Sequence, residues 1–124
     1  MAFSDLLPVD PETAMMAASS FGGGMSRLRE VCGAVSGMAL VLGLLKGYGT
    51  PETGAPKFEH YSRVQEAALK FEQLHGSIVC RELLNLSVKH EDPMPTPRTG
   101  GFYHARPCGE FIMSAAEILE ECLK

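Results

Sequence analysis

A stretch of fifteen residues without a charged side chain, Val31 to Leu45, most constrains how this chain of 124 residues can fold. A helix that crosses a membrane needs about 20 apolar residues, so the stretch is too short for a span. Apolar residues would lie almost all round the helix that it forms, which is typical of a helix inside a protein core. We therefore predict a central apolar helix over about residues 28–46, ended by Gly47 and Gly49.

Helical patterns also dominate the rest of the chain, and no segment shows the apolar–polar alternation of a β-strand. Asp10 as an N-cap and Pro11 at the first helical position predict a helix over about residues 11–19. Further helices are predicted over residues 57–75, ended by Gly76, over residues 78–86 with Ser77 as the cap, and from Pro107 to the C-terminus.

The spacing of apolar residues predicts which faces of these helices point inward. We therefore predict an all-α fold, a compact bundle of about five helices in a single domain over residues 1–124. Residues 88–105 contain three prolines and two glycines, which predicts a mobile loop. The residues expected on the inner faces are Phe58, Tyr61, Val64, Ala68, Phe71 and Leu74 in one helix and Phe111, Ile112, Ala115, Ile118, Leu119 and Leu123 in the last.

Charge and composition narrow the classes of partner. The net charge is −4 and the pI is about 5.5, with opposite signs mixed along the chain, so we expect neither a nucleic-acid partner nor a membrane surface. The first residues show no basic leader followed by an apolar run, so we expect no secretory signal and a cytoplasmic protein. Thiols are kept reduced in that compartment, so the cysteines are not expected to form a structural disulfide framework.

Three of the four cysteines share a position in the predicted helices. Cys32, Cys80 and Cys108 lie near helix N-termini, where amide groups and the helix dipole stabilise a thiolate. Cys122 lies near a C-terminus, where the dipole opposes a thiolate. No two of them form a CxxC pair, which excludes a thioredoxin-like motif and a zinc ribbon. From spacing alone, a role as small buried hydrophobes is at least as well supported as a reactive or ligating role.

Two other features could contribute polar chemistry. The triplet of Gly22 to Gly24, followed by Ser26 and Arg27, is interpreted as a tight corner, with anion binding as the alternative. His75 precedes Cys80 by five residues and His104 precedes Cys108 by four, so either could serve as a base or a ligand.

Three segments resemble the C_GCAxxG_C_C family, a group of small helical proteins described as redox-active and named for four cysteines. They are FGGGMSRLREVCGAVSGMALVLGL, HGSIVCRELLNL and RPCGEFIMSAAEIL, and the resemblance covers about residues 14–120. It implies that Cys32, Cys80 and Cys108 occupy family positions and converge in space.

The chain departs from the family pattern in two places. It has the order Cys32-Gly33-Ala34, whereas the family name places glycine before cysteine. Residues 1–31 contain no cysteine at the family's first position, which implies either a three-cysteine branch or an incomplete site. Cys122 matches no family position.

The resemblance and the residues together leave three hypotheses for function. The first is a cytosolic thiol redox protein in which Cys80 or Cys108 attacks and Cys32 resolves, with a redox protein or a small thiol as partner. The second is an electron-transfer protein in which Cys32, Cys80 and Cys108, with His104, bind zinc or an iron–sulfur cluster. The third is a helical assembly module without chemistry. Its partner, or a second copy in a homo-oligomer, would contact Met15, Met16, Met25 and Met38.

Overall fold

The structure is a computed structural model that describes residues 5–49, 54–86, 91–94 and 107–123. No residue in these ranges belongs to a β-strand, which confirms the predicted all-α fold of about five helices. The helices whose backbone is right-handed throughout are α1 (Pro11–Ala18), α2 (Gly33–Lys46), α3 (Ala55–His75), α4 (Cys80–Leu83) and α5 (Cys108–Cys122). The short segment Gly22–Met25, which contains left-handed glycines, lies between α1 and α2.

The core lies where α2, α3 and α5 pack on one another. Helix α2 packs on both α3 and α5, which also pack on each other. No described helix is long and apolar enough to cross a membrane. Burying an apolar side chain as large as leucine or phenylalanine stabilises the fold by roughly 1.5–3 kcal/mol relative to leaving it exposed. The buried residues are Val35, Met38 and Leu42 of α2, Ala67 and Phe71 of α3, and Phe111, Ala115, Ile118 and Leu119 of α5.

Local signals define several helix ends as predicted. The carboxylate of Asp10 accepts a hydrogen bond from the backbone N–H of Thr13 at 3.2 Å, and Pro11 begins α1. Gly47 caps the C-terminus of α2. Gly76 caps α3 with a φ of +90°, a conformation that glycine adopts without strain.

The central helix begins at Gly33, so the predicted start near residue 28 is wrong. Arg29 has a φ of +59°, which a right-handed helix cannot contain. Val31 instead pairs with Val79 in an isolated antiparallel bridge. The chain therefore approaches α2 in an extended conformation, and Cys32 becomes the residue that precedes the helix.

Ser77 does not cap the helix that follows it, contrary to the prediction. Its hydroxyl accepts from the backbone N–H of Val79 at 2.9 Å and donates to the carboxylate of Glu82 at 2.8 Å. These bonds stabilise a turn before the helix, so α4 starts at Cys80 and spans only four residues.

The predicted inner faces are correct only in part. Phe58, Tyr61 and Leu74 of α3 are exposed, as is Ile112 of α5. With 21 residues, α3 is about 31 Å long, whereas the 14 residues of α2 span about 21 Å. Helix α3 is therefore longer than the neighbour that buries it, and its first turns stay exposed.

The methionines of the assembly-module hypothesis separate into two groups. Met38 is buried in the core, whereas Met15, Met16 and Met25 are exposed. An outward-facing role is wrong for Met38, and for the other three a partner or a second copy stays a prediction.

Candidate functional site: a cavity lined by three thiols

A cavity of about 850 Å³ lies between α1, the glycine-rich segment after it, α2 and α5. Cys32, Cys80 and Cys108 all line it, although they lie far apart in the sequence. Cys122 is not among its lining residues and packs instead at the edge of the core. The cavity thus brings together the three cysteines predicted as site residues.

Cys32 contributes a buried thiol at the start of α2. Its backbone N–H donates to the carbonyl of Ile78 at 2.7 Å, which fixes the residue where the chain enters the helix. Burial raises the pKa of this thiol, and negative charge on Cys80 and Cys108 acts in the same direction. The backbone N–H groups of Ala34 and Val35 oppose these effects without outweighing them. Cys32 is therefore held as a protonated thiol near neutral pH.

Cys80 is the first residue of α4, and its thiol is also buried. Its backbone N–H donates to the carbonyl of Glu30 at 2.5 Å. The Nη1 of Arg29 lies 3.7 Å from Cys80 Sγ, a hydrogen-bond distance for sulfur. Burial would lower the pKa of Arg29, but its contacts with Glu91 and Cys80 outweigh burial and raise the pKa. A permanent cation therefore lies beside the Cys80 sulfur.

The segment that carries Arg29 turns in the left-handed direction, and we call residues 22–29 the glycine turn. Gly23 and Gly24 have φ values of +66° and +68° within the helical segment Gly22–Met25. The backbone N–H of Arg29 donates to the carbonyl of Gly23 at 3.2 Å and closes the turn. Non-glycine residues with positive φ cost roughly 1–2 kcal/mol each, and such strain is concentrated at functional sites in proteins. Those in this turn are Met25, Ser26, Arg27 and Arg29.

Close approach explains Gly24 in this turn and Gly33 after it. A Cβ on Gly24 would lie 2.6 Å from the Cβ of Cys80 and 2.8 Å from the Cα of Arg29. A Cβ on Gly33 would lie 2.8 Å from the carbonyl oxygen of Phe21. The predicted tight corner is therefore correct, and it allows the glycine turn to contact Cys80.

Glu91 joins the two arginines of the turn. Its carboxylate accepts from Arg27 Nη2 at 2.6 Å and from Arg29 Nε at 3.0 Å. Arg27 Nε also donates to the carbonyl of Asp92 at 2.7 Å. Residues 91–94 are thus docked on the glycine turn, and the rest of the predicted loop over residues 88–105 lies outside the described residues.

The sequence predicts His75 and His104 as possible bases or ligands beside the cysteines, and the structure describes only His75. The Nε2 of His75 lies 2.9 Å from Ser114 Oγ, and its ring packs against Phe71 and Phe111. His75 is not among the residues that line the cavity, so it does not join the cysteines. His104 lies outside the described residues.

The metal-site hypothesis uses the same three cysteines together with His104. Within the ranges that the structure describes, no group of three or more His, Cys, Asp or Glu side chains is arranged to hold a metal ion. The described thiols of Cys32, Cys80 and Cys108 therefore do not fit a tetrahedral zinc set, and a ligand set that includes His104 stays a prediction.

Sequence reasoning missed two parts of the site, the contact of Arg29 with Cys80 and the carboxylate of Glu91. Arg29 and Glu91 are separated by 62 positions, and no pattern in the sequence pairs them. The one available signal was the glycine triplet, which indicates that the arginines after it lie on a tightly turned backbone.

The chain as a whole matches one family model, "Putative redox-active protein (C_GCAxxG_C_C)", over residues 1–122. It matches no curated protein and no solved structure. The family match covers almost the entire sequence, including the glycine turn and the three cysteines that line the cavity. The chain therefore belongs to the C_GCAxxG_C_C family.

Proposed function

We propose that this protein carries out thiol–disulfide exchange, with Cys80 as the attacking thiol and Cys32 or Cys108 as the resolving thiol. One observation carries the proposal. The Cys80 sulfur lies 3.7 Å from the Arg29 guanidinium at a cavity that Cys32 and Cys108 also line.

The surroundings of the thiols support these roles. The thiolate is the nucleophile in exchange, and an adjacent cation favours it. Cys80 has such a cation in Arg29. Burial raises the pKa of Cys32, so this thiol is a poor first attacker at neutral pH. Cys108 begins α5 and is half-buried, so it is the alternative resolving residue.

The reaction proceeds in two balanced steps with an organic disulfide as the oxidant. The Cys80 thiolate attacks one substrate sulfur, forming a mixed disulfide as the substrate S–S bond breaks and a thiolate leaves. The thiolate of Cys32 or Cys108 then attacks Cys80 Sγ. A bond forms between the two protein sulfurs, and the second substrate thiolate is released. Two electrons pass from the protein to the substrate, and the two thiol protons end on the released thiols.

Return to the dithiol form requires a reductant. In the cytoplasm, a redox protein or a small thiol would reverse the two steps.

Mass spectrometry after reaction with glutathione disulfide tests this proposal. We expect the reduced chain to lose two hydrogens and to convert one glutathione disulfide into two molecules of glutathione. The double variant Cys32→Ser/Cys108→Ser should instead accumulate one glutathionyl group on Cys80. Cys122→Ser should react as the unmodified chain does, because this thiol does not line the cavity. Unchanged oxidation of Cys80→Ser would contradict the proposal.

A further inference from the structure

We propose that the cavity binds a small amphipathic molecule, with a carboxylate paired to Arg29 and an apolar body in the remaining volume. This inference concerns binding and does not depend on the thiol exchange proposed above.

The guanidinium of Arg29 supplies the first argument. The side chain is 2% exposed and lines the cavity. Its Nε donates to Glu91 and its Nη1 contacts Cys80, but its buried Nη2 has no hydrogen-bond partner among the described residues. Buried donors in proteins are almost always paired. The Nη2 has almost no accessible surface in the structure. Pairing with a ligand carboxylate, the anion that a guanidinium binds in a bidentate geometry, therefore requires the guanidinium to turn toward the cavity.

The balance of charge supplies the second argument. Arg27 and Arg29 both line the cavity, and none of its described lining residues is acidic. The charged side chains on the described part of the wall are therefore both cationic, in a chain whose net charge is −4. A carboxylate bound at this wall would be attracted by both arginines.

The walls of the cavity supply the third argument. Away from the two arginines, the lining consists largely of apolar side chains, among them Met38, Val41, Phe111 and Leu119. The volume of about 850 Å³ lies within the range of small-molecule sites. An inorganic anion would satisfy Arg29 but leave the apolar walls without a partner. An uncharged apolar molecule would cover the walls but leave the Nη2 unpaired.

Isothermal titration calorimetry on the reduced full chain tests this inference with three probes: decanoate, decan-1-ol and acetate. We expect saturable binding of decanoate, with decan-1-ol and acetate each bound at least about tenfold more weakly. Equal affinity for decanoate and decan-1-ol would overturn the role of Arg29, and no saturable binding of decanoate would overturn the site. Decanoate contains no sulfur, so failure of thiol exchange would not affect this result.

Two variants test the arginine end and the apolar part of the cavity separately. Arg29→Met should remove the preference for decanoate over decan-1-ol. Gly37→Leu should weaken binding of both, because Gly37 lines the cavity and a Cβ there meets no atom within 4 Å. Gly43→Leu is the matched control on the same helix, since Gly43 is not among the lining residues. If Arg29→Met fails to fold, the decanoate binding of Gly37→Leu still tests the inference. Unchanged decanoate binding by that variant would overturn the inference.

Discussion

The guanidinium Nη1 of Arg29 lies 3.7 Å from the sulfur of Cys80, and both side chains are buried. Burying a cation without compensation is costly, so a buried arginine requires partners. Arg29 has them in the carboxylate of Glu91 and the sulfur of Cys80. The strained glycine turn keeps Arg29 in this position, which links the backbone conformation of residues 22–29 to the chemistry of one thiol.

Removing this cation should slow the reaction of Cys80. We expect Arg29→Met to lower the rate of Cys80 alkylation by N-ethylmaleimide at pH 7, because the sulfur loses the guanidinium that lies 3.7 Å from it. Arg63→Met is the control, since Arg63 contacts Lys46 and His60 and does not line the cavity. Peptide mapping by mass spectrometry after short reaction times gives the rate at each cysteine. Equal rates in Arg29→Met and the unmodified chain would show that the contact does not activate the thiol.

Burial of Cys32 should make the stability of the fold depend on alkaline pH. The folded-state pKa of this thiol is raised, chiefly by burial, so the folded state keeps its proton at pH values where the unfolded chain has lost it. Its contribution is therefore complete below the unfolded pKa of about 8.5 and is lost as the pH rises through the folded pKa. The slope from one thiol is at most about 1.4 kcal/mol per pH unit.

Urea unfolding between pH 7 and pH 10.5 measures this dependence. The free energy of unfolding should fall less steeply with pH in Cys32→Ala than in the unmodified chain. Cys122→Ala controls for the loss of a thiol that is not in the cavity. Parallel curves for Cys32→Ala and the unmodified chain would contradict the shift.

The helix ends that could be predicted are those determined by local chemistry. Asp10 and Pro11 define the start of α1, and Gly47 and Gly76 cap α2 and α3. Each acts on backbone groups within a few residues of itself, so the sequence contains the whole signal. The exposure of Phe58 was not predictable in this way, because it depends on how far α3 extends beyond its neighbours.

The same distinction between local signals and long-range contacts applies to the candidate site. Cys32, Cys80 and Cys108 were predicted as site residues from their positions near helix N-termini and from the family resemblance. All three line one cavity, and their chemical role stays a prediction. The pairing of Arg29 with Glu91 joins residues 62 positions apart. It depends on the left-handed backbone of the glycine turn, which only the folded chain fixes.

The glycine turn should tolerate a methyl group at one glycine and not at another. Gly24→Ala should lower the free energy of unfolding by at least about 3 kcal/mol, because its Cβ would lie 2.6 Å from Cys80 Cβ at a φ of +68°. Gly22→Ala should change stability by less than about 1 kcal/mol, since a Cβ there meets no atom within 4 Å. Urea denaturation of both variants gives the comparison. Similar losses at the two positions would mean that close approach does not explain the triplet.

The carboxylate of Glu91 should be more important to the fold than an ordinary surface acid. In Glu91→Gln the buried guanidinium of Arg29, 2% exposed, loses its anionic partner. Breaking a buried pair costs about 3–5 kcal/mol, and because Glu91 is itself 19% exposed we expect a smaller loss of about 2 kcal/mol. Glu66→Gln is the matched control. Its exposed pair with Lys70 should contribute less than about 0.5 kcal/mol. Urea denaturation at pH 7 measures both, and equal costs would show that Arg29 does not need Glu91 for its burial.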